Sequence, residues 1–375
     1  MQDNSRTFDL AVVGGGPAGS FLAALAAEAG LRTVILEQNK MPRFKPCGGF
    51  ISARALSLLP LDLDPGKIPV QPVDTIRVFR KKQYYEYKST EPLGLLVKRA
   101  DFDHHFLNYA ASKGALILQE QSLQTLDRTE QNFKNRGSYR LRITGAQPDH
   151  IFARYVVGAD GALGRCGVLA GLRKPAISFC GRGLSELVTI EPESDKDNPA
   201  PGTLDFYPLP FLGGMGWSFH SSSWINRGVG GLFNPALLKK AYLKIFAEGK
   251  PGCGLSWWPL PFLGPLKKAG RKNLLLIGDA AGLVEPFSGE GLFNAFKSAA
   301  LAFKALKEAE QRQAEVGSIY NLLYKLHFKK TFIPTLAGAV LLHSRALIYP
   351  ASMPRHIANL MQNRLYFNRQ LNSLP

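Results

Sequence analysis

Four groups of residues in this chain have the types and spacings that chemistry needs. Gly14, Gly16 and Gly19 form a G-x-G-x-x-G pattern running through Pro17 and Ala18. The first glycine permits a tight turn, the second lets main chain approach a pyrophosphate, and the third lets a helix pack closely on a strand. Glu37, with Gln38 beside it, follows about 20 residues later, where a carboxylate accepts from a ribose 2′-hydroxyl and works against a 2′-phosphate, so NADP is not the expected occupant. Near the other end, Gly278-Asp279-Ala280-Ala281-Gly282 leads through Pro286 and Phe287 to Gly289-Glu290-Gly291, which reads as a helix N-terminus with free N–H groups for a negative charge. Cys47 sits before Gly48-Gly49 and after Arg43 and Lys45, and neighbouring cations favour a thiolate. His220, after Tyr207 and Trp217, could line a pocket with them and act as a general acid, although a lone histidine among aromatics is more often structural.

Each glycine group needs a strand to deliver it and a helix to receive it. Phe8 to Val13 is an apolar run without alternation, as in a strand buried on both faces. Pro17 suits the first helical position, Phe21, Leu22, Leu25 and Ala26 make an apolar face, and Gly30 marks a stop. Thr33 to Leu36 reads as the next strand. Tyr155-Val156-Val157 before Gly158-Ala159-Asp160-Gly161, and Asn273 to Ile277 before Gly278-Asp279, repeat the pattern. An alanine-rich helix runs from Gly289 through Ala295 and Ala299. Turns of this kind from opposite ends of one chain imply a single large cofactor held across a sheet, and FAD is the expected one. Asp279 could accept from ribityl hydroxyls, and the helix start near Gly289 could face the N1–C2=O edge of a reduced flavin.

With these motifs the chain resembles FAD enzymes of the para-hydroxybenzoate hydroxylase fold, on Gly14, Gly16, Gly19, Glu37, the Gly158–Gly161 run and Gly278-Asp279-Ala280. More narrowly, Pro42-Arg43-Phe44-Lys45-Pro46-Cys47-Gly48-Gly49 and the Gly278–Gly291 run are similar to segments of the geranylgeranyl reductase family. The resemblance covers roughly residues 8 to 300. It implies that Asp160, Gly161, Gly278, Asp279 and Ala280 help bind FAD. It implies that Arg99 contacts the pyrophosphate or the flavin edge, and that Arg43, Cys47, Gly48 and Gly49 lie near the ring. Pro286 and Phe287 would exclude water there, and Glu290 would organise its loop. There are departures: Leu163 stands where a serine is usual, while Arg165 is kept. Of the family's Tyr-x-Trp-x-Phe-Pro segment only Gly216-Trp217-Ser218-Phe219-His220 is found, with His220 in place of the proline.

The fold expected is α/β: a Rossmann-like FAD-binding domain, an inserted mostly antiparallel β domain for the substrate, and a C-terminal helical region. The FAD-binding domain is discontinuous (residues 1–70, 98–175 and 265–305), the β domain takes 71–97 and 176–264, and the helices take 306–375. Ile76 to Phe79 with Tyr84 to Tyr87 reads as a hairpin, the β sheet roofs an apolar pocket, and the last helices break at Pro334, Pro350 and Pro354.

With 375 residues, 46 Lys and Arg against 29 Asp and Glu, and a formal charge of +17, the chain is long enough for coupled domains and strongly basic. Cys47, Cys166, Cys180 and Cys253 have neither metal-ligand nor scaffold spacing, which implies a reducing compartment and no metal. No apolar run is long enough for a spanning helix. Residues 316–375 hold no Asp or Glu but Lys325, Lys329, Lys330, Arg345, Arg355, Arg364 and Arg369 among apolar clusters. That mixture suits an anionic membrane surface, giving a cytoplasmic enzyme peripheral on the inner membrane face, or helices packed on the core with solvated charges. No recognition motif points to nucleic acid.

The leading expectation is an FAD-dependent oxidoreductase that reduces carbon–carbon double bonds of a polyprenyl or other long apolar substrate, with Cys47 or His220 as candidate proton donor. NADPH, ferredoxin and a quinol stand open as external electron donor. The alternatives are a flavin monooxygenase or halogenase acting on an aromatic substrate, and a non-catalytic flavin-binding protein at a membrane.

Overall fold

The computed structural model describes residues 6–362 apart from 61, 81–82, 130–137, 146–148, 175–180, 191–198, 210–213, 233, 247–253, 262–266, 287, 330–331 and 333–352. Contacts divide the chain into two compact units, Met1–Arg43, Phe102–Cys180 and Pro261–Thr335 against Phe44–Asp101, Gly181–Leu260 and Leu336–Pro375. Residues 44–70 join the second unit, and the C-terminal region is shared between the two units.

The first unit is built on a sheet whose continuous path is β17 (Gly270–Arg271), β18 (Leu274–Leu276), β11 (His150–Gly158), β1 (Thr7–Val13), β2 (Thr33–Glu37) and β8 (Leu116–Gln119), with β10 (Ser138–Ile143) and β9 (Leu123–Thr129) joined through β11. β18, β11, β1, β2 and β8 run parallel. The inner segments of β1, β2, β11 and β18 are buried, as a sheet covered on both faces requires, while the edge strand β8 is not. Helices α1 (Pro17–Glu28), α3 (Arg99–Ser112) and α6 (Leu292–Arg312) meet at Phe296. Its ring meets Phe21 edge-on at 5.7 Å and stacks on Phe106 at 5.3 Å. Helix α7 (Val316–Tyr324) is tied to the sheet end by two buried tyrosines: Tyr320 donates to the Leu276 carbonyl at 3.0 Å and Tyr324 to that of Ala281 at 2.9 Å. The short α4 (Cys166–Leu169) follows the turn after β11.

The second unit carries a sheet in the order β16 (Ser256–Leu260), β12 (Gly181–Thr189), β15 (Trp224–Gly231), β14 (Met215–His220), β13 (Thr203–Pro208), β5 (Thr75–Arg80) and β6 (Gln83–Lys88). All neighbours are antiparallel except β13 and β5, and β5–β6 is the expected hairpin. A smaller sheet joins β3 (Phe50–Ser52), β7 (Gly94–Val97) and β4 (Val70–Val73), with α2 (Ala53–Leu56) following β3. Helix α5 (Pro235–Phe246) buries Leu238, Ala241 and Tyr242 against Leu184 and Val229. Pro354 sits in the first turn of Met353–Gln362, where a proline's missing N–H costs nothing, and residues 351–352 before it lie outside the described residues. Pro334 and Pro350 lie outside the described residues.

Candidate functional site

In the first unit the three glycine turns converge. Gly14, at φ +109°, follows β1, and a Cβ there would stand 2.4 Å from the Ala159 carbonyl oxygen. A Cβ on Gly19 would stand 2.0 Å from the Gly14 oxygen, so helix and turn touch main chain to main chain. Gly278, at φ +56°, lies against Ala18 of α1 and Ala295 of α6. Gly16 differs: its φ of −74° and ψ of 178° suit any residue, and its nearest neighbour would be Arg43 Nη2 at 3.6 Å. The room at Gly16 serves something other than the fold.

Both helices that start here begin on a glycine. Gly16 precedes α1, Gly291 precedes α6, and neither helix has a side-chain cap. Helices normally satisfy their first N–H groups with a Ser, Thr, Asp or Asn. A glycine at that position, with no capping side chain of its own, suits an external anion. Pro17 fills the first position of α1.

Glu37 ends β2, is 4% exposed, and accepts from Gly15 N through Oε2 at 2.9 Å and from Asn39 N through Oε1 at 2.9 Å. Gln38 beside it is exposed. Arg43 lies 3.7 Å from Glu37 and 3.4 Å from Asp103, beside Gly16. Arg99 opens α3 and is buried. Asp160 accepts from Cys166 N at 2.8 Å through Oδ2, and its Oδ1 is buried without a partner. Burial raises its pKa, opposed by that N–H and by Arg173. Gly161 takes φ +75°. Asp279 and Ala280 form a short 3-10 turn, and a Cβ on Gly291 would stand 3.4 Å from Asp279 Oδ1, which puts that carboxylate at the start of α6. The loop from Glu285 through Pro286 to Gly289 closes on itself: Gly289 N donates to Glu285 O at 2.9 Å, Glu285 N to Glu290 O at 3.0 Å, and Ser288 to Glu285 Oε2 at 2.6 Å. Phe287 lies outside the described residues.

A glycine cradle too tight for side chains, two uncapped helix N-termini and a buried carboxylate near the expected ribose position fit an adenine dinucleotide. The comparisons agree. The family profile of an FAD binding domain matches residues 7–178. The chloroplastic geranylgeranyl diphosphate reductase of Oryza sativa subsp. japonica is 30% identical over 88% of this chain and 73% of that protein. The chain belongs to the geranylgeranyl reductase family. Digeranylgeranylglycerophospholipid reductase 1 of Methanopyrus kandleri is 29% identical over 87% and 88% of the two chains. The crystal structure of a geranylgeranyl bacteriochlorophyll reductase-like protein from Thermoplasma acidophilum shares the fold, with a TM-score of 0.76, 22% identity and coverage of 96% and 92%. This family member is therefore an FAD-dependent oxidoreductase.

In the second unit, strand register sorts the remaining candidates. One cross-strand row runs Ile76, Leu204, Phe219, Asn226, Leu187, and the next runs Val78, Phe206, Trp217, Gly228, Ser185, Ser256. These rows share a face, because side chains alternate along each strand. The opposite face carries the row Arg77, Asp205, Ser218, Arg227, Glu186, flanked by Tyr207 and His220. Tyr207, Trp217 and His220 therefore do not form one pocket wall. Trp217 is on the apolar face, and the other two are on the face packed by α5. Tyr207 stacks on Phe79 at 4.5 Å and meets Phe246 of α5 edge-on at 5.6 Å. Burial, then Asp205, raises its pKa.

His220 is 4% exposed, with Nε2 3.2 Å from Asp205 Oδ2. Asp205 in turn receives Arg77 through Nε and Nη2, each at 2.7 Å. Arg227 Nε donates to Glu186 at 2.5 Å, and the Tyr242 hydroxyl of α5 donates to the same oxygen. No local pattern in the sequence announces these partners. Their only signal there is alternation within each strand, and the pairing lies far apart in sequence.

Cys47 is partly buried, and Gly49 N donates to its Sγ at 3.5 Å. The cations flanking it in sequence are engaged with other groups: Arg43 with Glu37 and Asp103, Lys45 Nζ over the Trp258 ring at 4.4 Å. The contact that the thiol itself receives is the main-chain N–H of Gly49. Of the unused sequence features, Leu163 is exposed and Arg165 reaches Gln124 at 3.4 Å. Cys180 and Cys253 lie outside the described residues.

Proposed function

We propose that this reductase saturates carbon–carbon double bonds of a polyprenyl or other long apolar substrate. Its relatives in Oryza sativa and Methanopyrus kandleri bear the names of geranylgeranyl diphosphate and digeranylgeranylglycerophospholipid reductases. The observation that carries the reading is the apolar face of the second unit's sheet. Its two central rows hold Phe206, Trp217 and Phe219 with Ile76, Val78, Leu187 and Leu204, the polar Asn226, Ser185 and Ser256, and no ionisable side chain. Most of these side chains are buried, and a hydrocarbon admitted against them would desolvate no charge.

FAD, when bound and reduced, would supply a hydride for one alkene carbon, and a proton would complete the other. An unactivated alkene accepts hydride poorly, so the chain's task is to hold it close and dry. Gly14, Gly16 and Gly19 would admit the pyrophosphate, Glu37 would take the ribose, Asp279 the ribityl chain, and the Gly289–Gly291 start of α6 the flavin's anionic edge. Asp160, Gly161, Ala280 and Pro286 would complete the cofactor's surroundings. His220 is on the α5 face. Cys47 belongs to the turn against Trp217 and Phe219 and is the remaining candidate for the proton.

The basic C-terminal region would bring the enzyme to an anionic bilayer to collect its substrate. Among the described residues no helix is long and apolar enough to cross a membrane. Leu322 at 60% exposure and Leu326 at 48% flank exposed Lys325, in keeping with a surface contact. Most of residues 330–375 lie outside the described residues.

The test is anaerobic reoxidation. Flavin in the purified protein is reduced without oxygen, then mixed with a polyprenyl lipid or a phenol. The expected result is reoxidation by the lipid and a product heavier by H2 per bond. Product formed only when oxygen is admitted, and only from the phenol, would replace the reductase by a monooxygenase.

A further inference from the structure

The Cys47–Gly49 turn takes its shape from residues remote in sequence. Gly49 has φ +79°, and a Cβ there would stand 2.4 Å from the Val97 carbonyl oxygen. Its own carbonyl accepts from Val97 N at 2.9 Å. These contacts fix one side of the turn. On the other side Gly48 lies against β14, where a Cβ would stand 2.6 Å from Phe219 Cε2 and 3.6 Å from Trp217 Nε1. No side chain fits between turn and rings.

The rings are themselves held. The Trp217 indole lies across Gly228, where a Cβ would stand 2.4 Å from Cζ2, and reaches Gly230 at 3.4 Å from Cζ3. Its Nε1 donates to Asn226 Oδ1 at 2.9 Å. Asn226 is 5% exposed and sits directly opposite Phe219 on β15. An amide buried between the cross-strand partners Phe219 and Leu187 costs desolvation that a leucine would avoid. What the amide contributes instead is a direction. A flat ring on a glycine surface can pivot about χ2, which is a broad torsion, and one hydrogen bond at its edge fixes the angle.

We infer that Asn226 is a positioning residue for the Cys47–Gly49 turn, acting through the indole of Trp217. The inference rests on the reading above only in taking that turn to belong to the redox site. Loss of the Asn226 acceptor frees the indole, the free indole no longer backs Gly48, and the Gly49 N–H leaves Cys47 Sγ.

The experiment is the alkylation rate of Cys47 by iodoacetamide in purified holoprotein, followed on its own peptide by mass spectrometry. FAD content and melting temperature are measured alongside. Asn226→Leu and Trp217→Phe should each change the rate about fivefold, the worth of one net hydrogen bond. The double variant should change it no further, because both remove one interaction. Asn226→Asp keeps an acceptor and should restore the rate to within about twofold. Wild-type rates in both single variants would overturn the inference, as would effects that multiply in the double variant. If Asn226→Leu does not fold, Trp217→Phe against Asn226→Asp decides it: equal rates in those two overturn the inference. Cys47 rates that follow the expected pattern in protein unable to saturate any polyprenyl would sink the reductase reading and leave this one standing.

Discussion

The two units hold their candidate residues by different means. In the first, the determinants are main chain: Gly14 pressed on Ala159, Gly19 on Gly14, and two helix starts without side-chain caps. In the second they are side chains sorted by register, with Arg77, Asp205, Arg227 and Glu186 in one row and Phe206 and Trp217 in a row of the other face. A main-chain site is broken by adding one carbon. A register-sorted site is broken by removing a partner, and a slip of one residue would exchange its faces entirely.

The largest effect should come from the first unit. Gly16→Val adds carbons where the fold has room, since the nearest contact of a Cβ is an ordinary 3.6 Å to Arg43. The variant should therefore fold, with the far-ultraviolet circular dichroism of the parent. It should lose FAD by about 1,000-fold in affinity, some 4 kcal/mol, read from flavin absorbance per protein. Gly14→Ala should instead fail to fold, because φ is +109° and the Ala159 oxygen lies 2.4 Å away. Full FAD in Gly16→Val would end the assignment of the nucleotide to this turn.

Next is the charged row of the second unit. Asp205 is 2% exposed and receives both nitrogens of the Arg77 fork at 2.7 Å. Asp205→Leu leaves a half-buried guanidinium without its carboxylate and should cost about 3 kcal/mol. Replacing both, in Arg77→Met/Asp205→Leu, should recover most of that loss. Chemical denaturation checks the pair. A double variant no more stable than Asp205→Leu alone would show that the row is not held by this ion pair.

These cases also show what a sequence can carry. The glycine turns were legible because a glycine reports its own backbone need, and apolar runs such as Phe8–Val13 before them report a buried strand. The hairpin of β5 and β6 was legible from its two alternating runs. The faces of β13 and β14 were half legible. Alternation separates Trp217 and Phe219 from Ser218 and His220, yet which face is covered depends on α5, and α5 follows later in the chain. The Arg77–Asp205 contact spans 128 positions, and no local signal predicts it. The pairing of β3 with β7 spans more than forty residues and likewise has no local signal.

Helix α6 of the first unit gives a third contrast, a buried cation on a helix rather than in a cross-strand pair. Lys297 is 8% exposed, and burial, with Lys304 adding repulsion, lowers its pKa to about 8. An unfolded lysine titrates at about 10.4. Between these values the unfolded chain holds a proton that the folded one has released, so stability should rise as pH goes from about 8 to about 10.4. His327 moves the same way, to about 4 through burial and then Lys297 and Lys304. Stability should thus fall as pH drops from about 6.5 toward 4. Lys297→Met should remove the alkaline rise and stabilise the protein by about 1–2 kcal/mol at pH 7. Melting curves across that range test this, and an undiminished alkaline rise in Lys297→Met would refute it.

The smallest effect is expected at His220, and it tests the sorting of faces most directly. A histidine acting as general acid must reach the substrate with a ring nitrogen. Here Nε2 is turned to Asp205 at 3.2 Å, and Nδ1 is buried without a partner on the face that α5 packs. His220→Gln keeps an N–H donor near the position of Nε2 and removes the unsatisfied ring nitrogen. The structural cost should stay within about 1 kcal/mol. Turnover of the polyprenyl substrate under saturating reductant should change by less than about twofold, since a lost proton donor would cost at least about a hundredfold. A hundredfold loss with FAD content and melting temperature unchanged would mean that this ring works on the substrate. The charged face would then be catalytic, and the division drawn here between the two faces would be wrong.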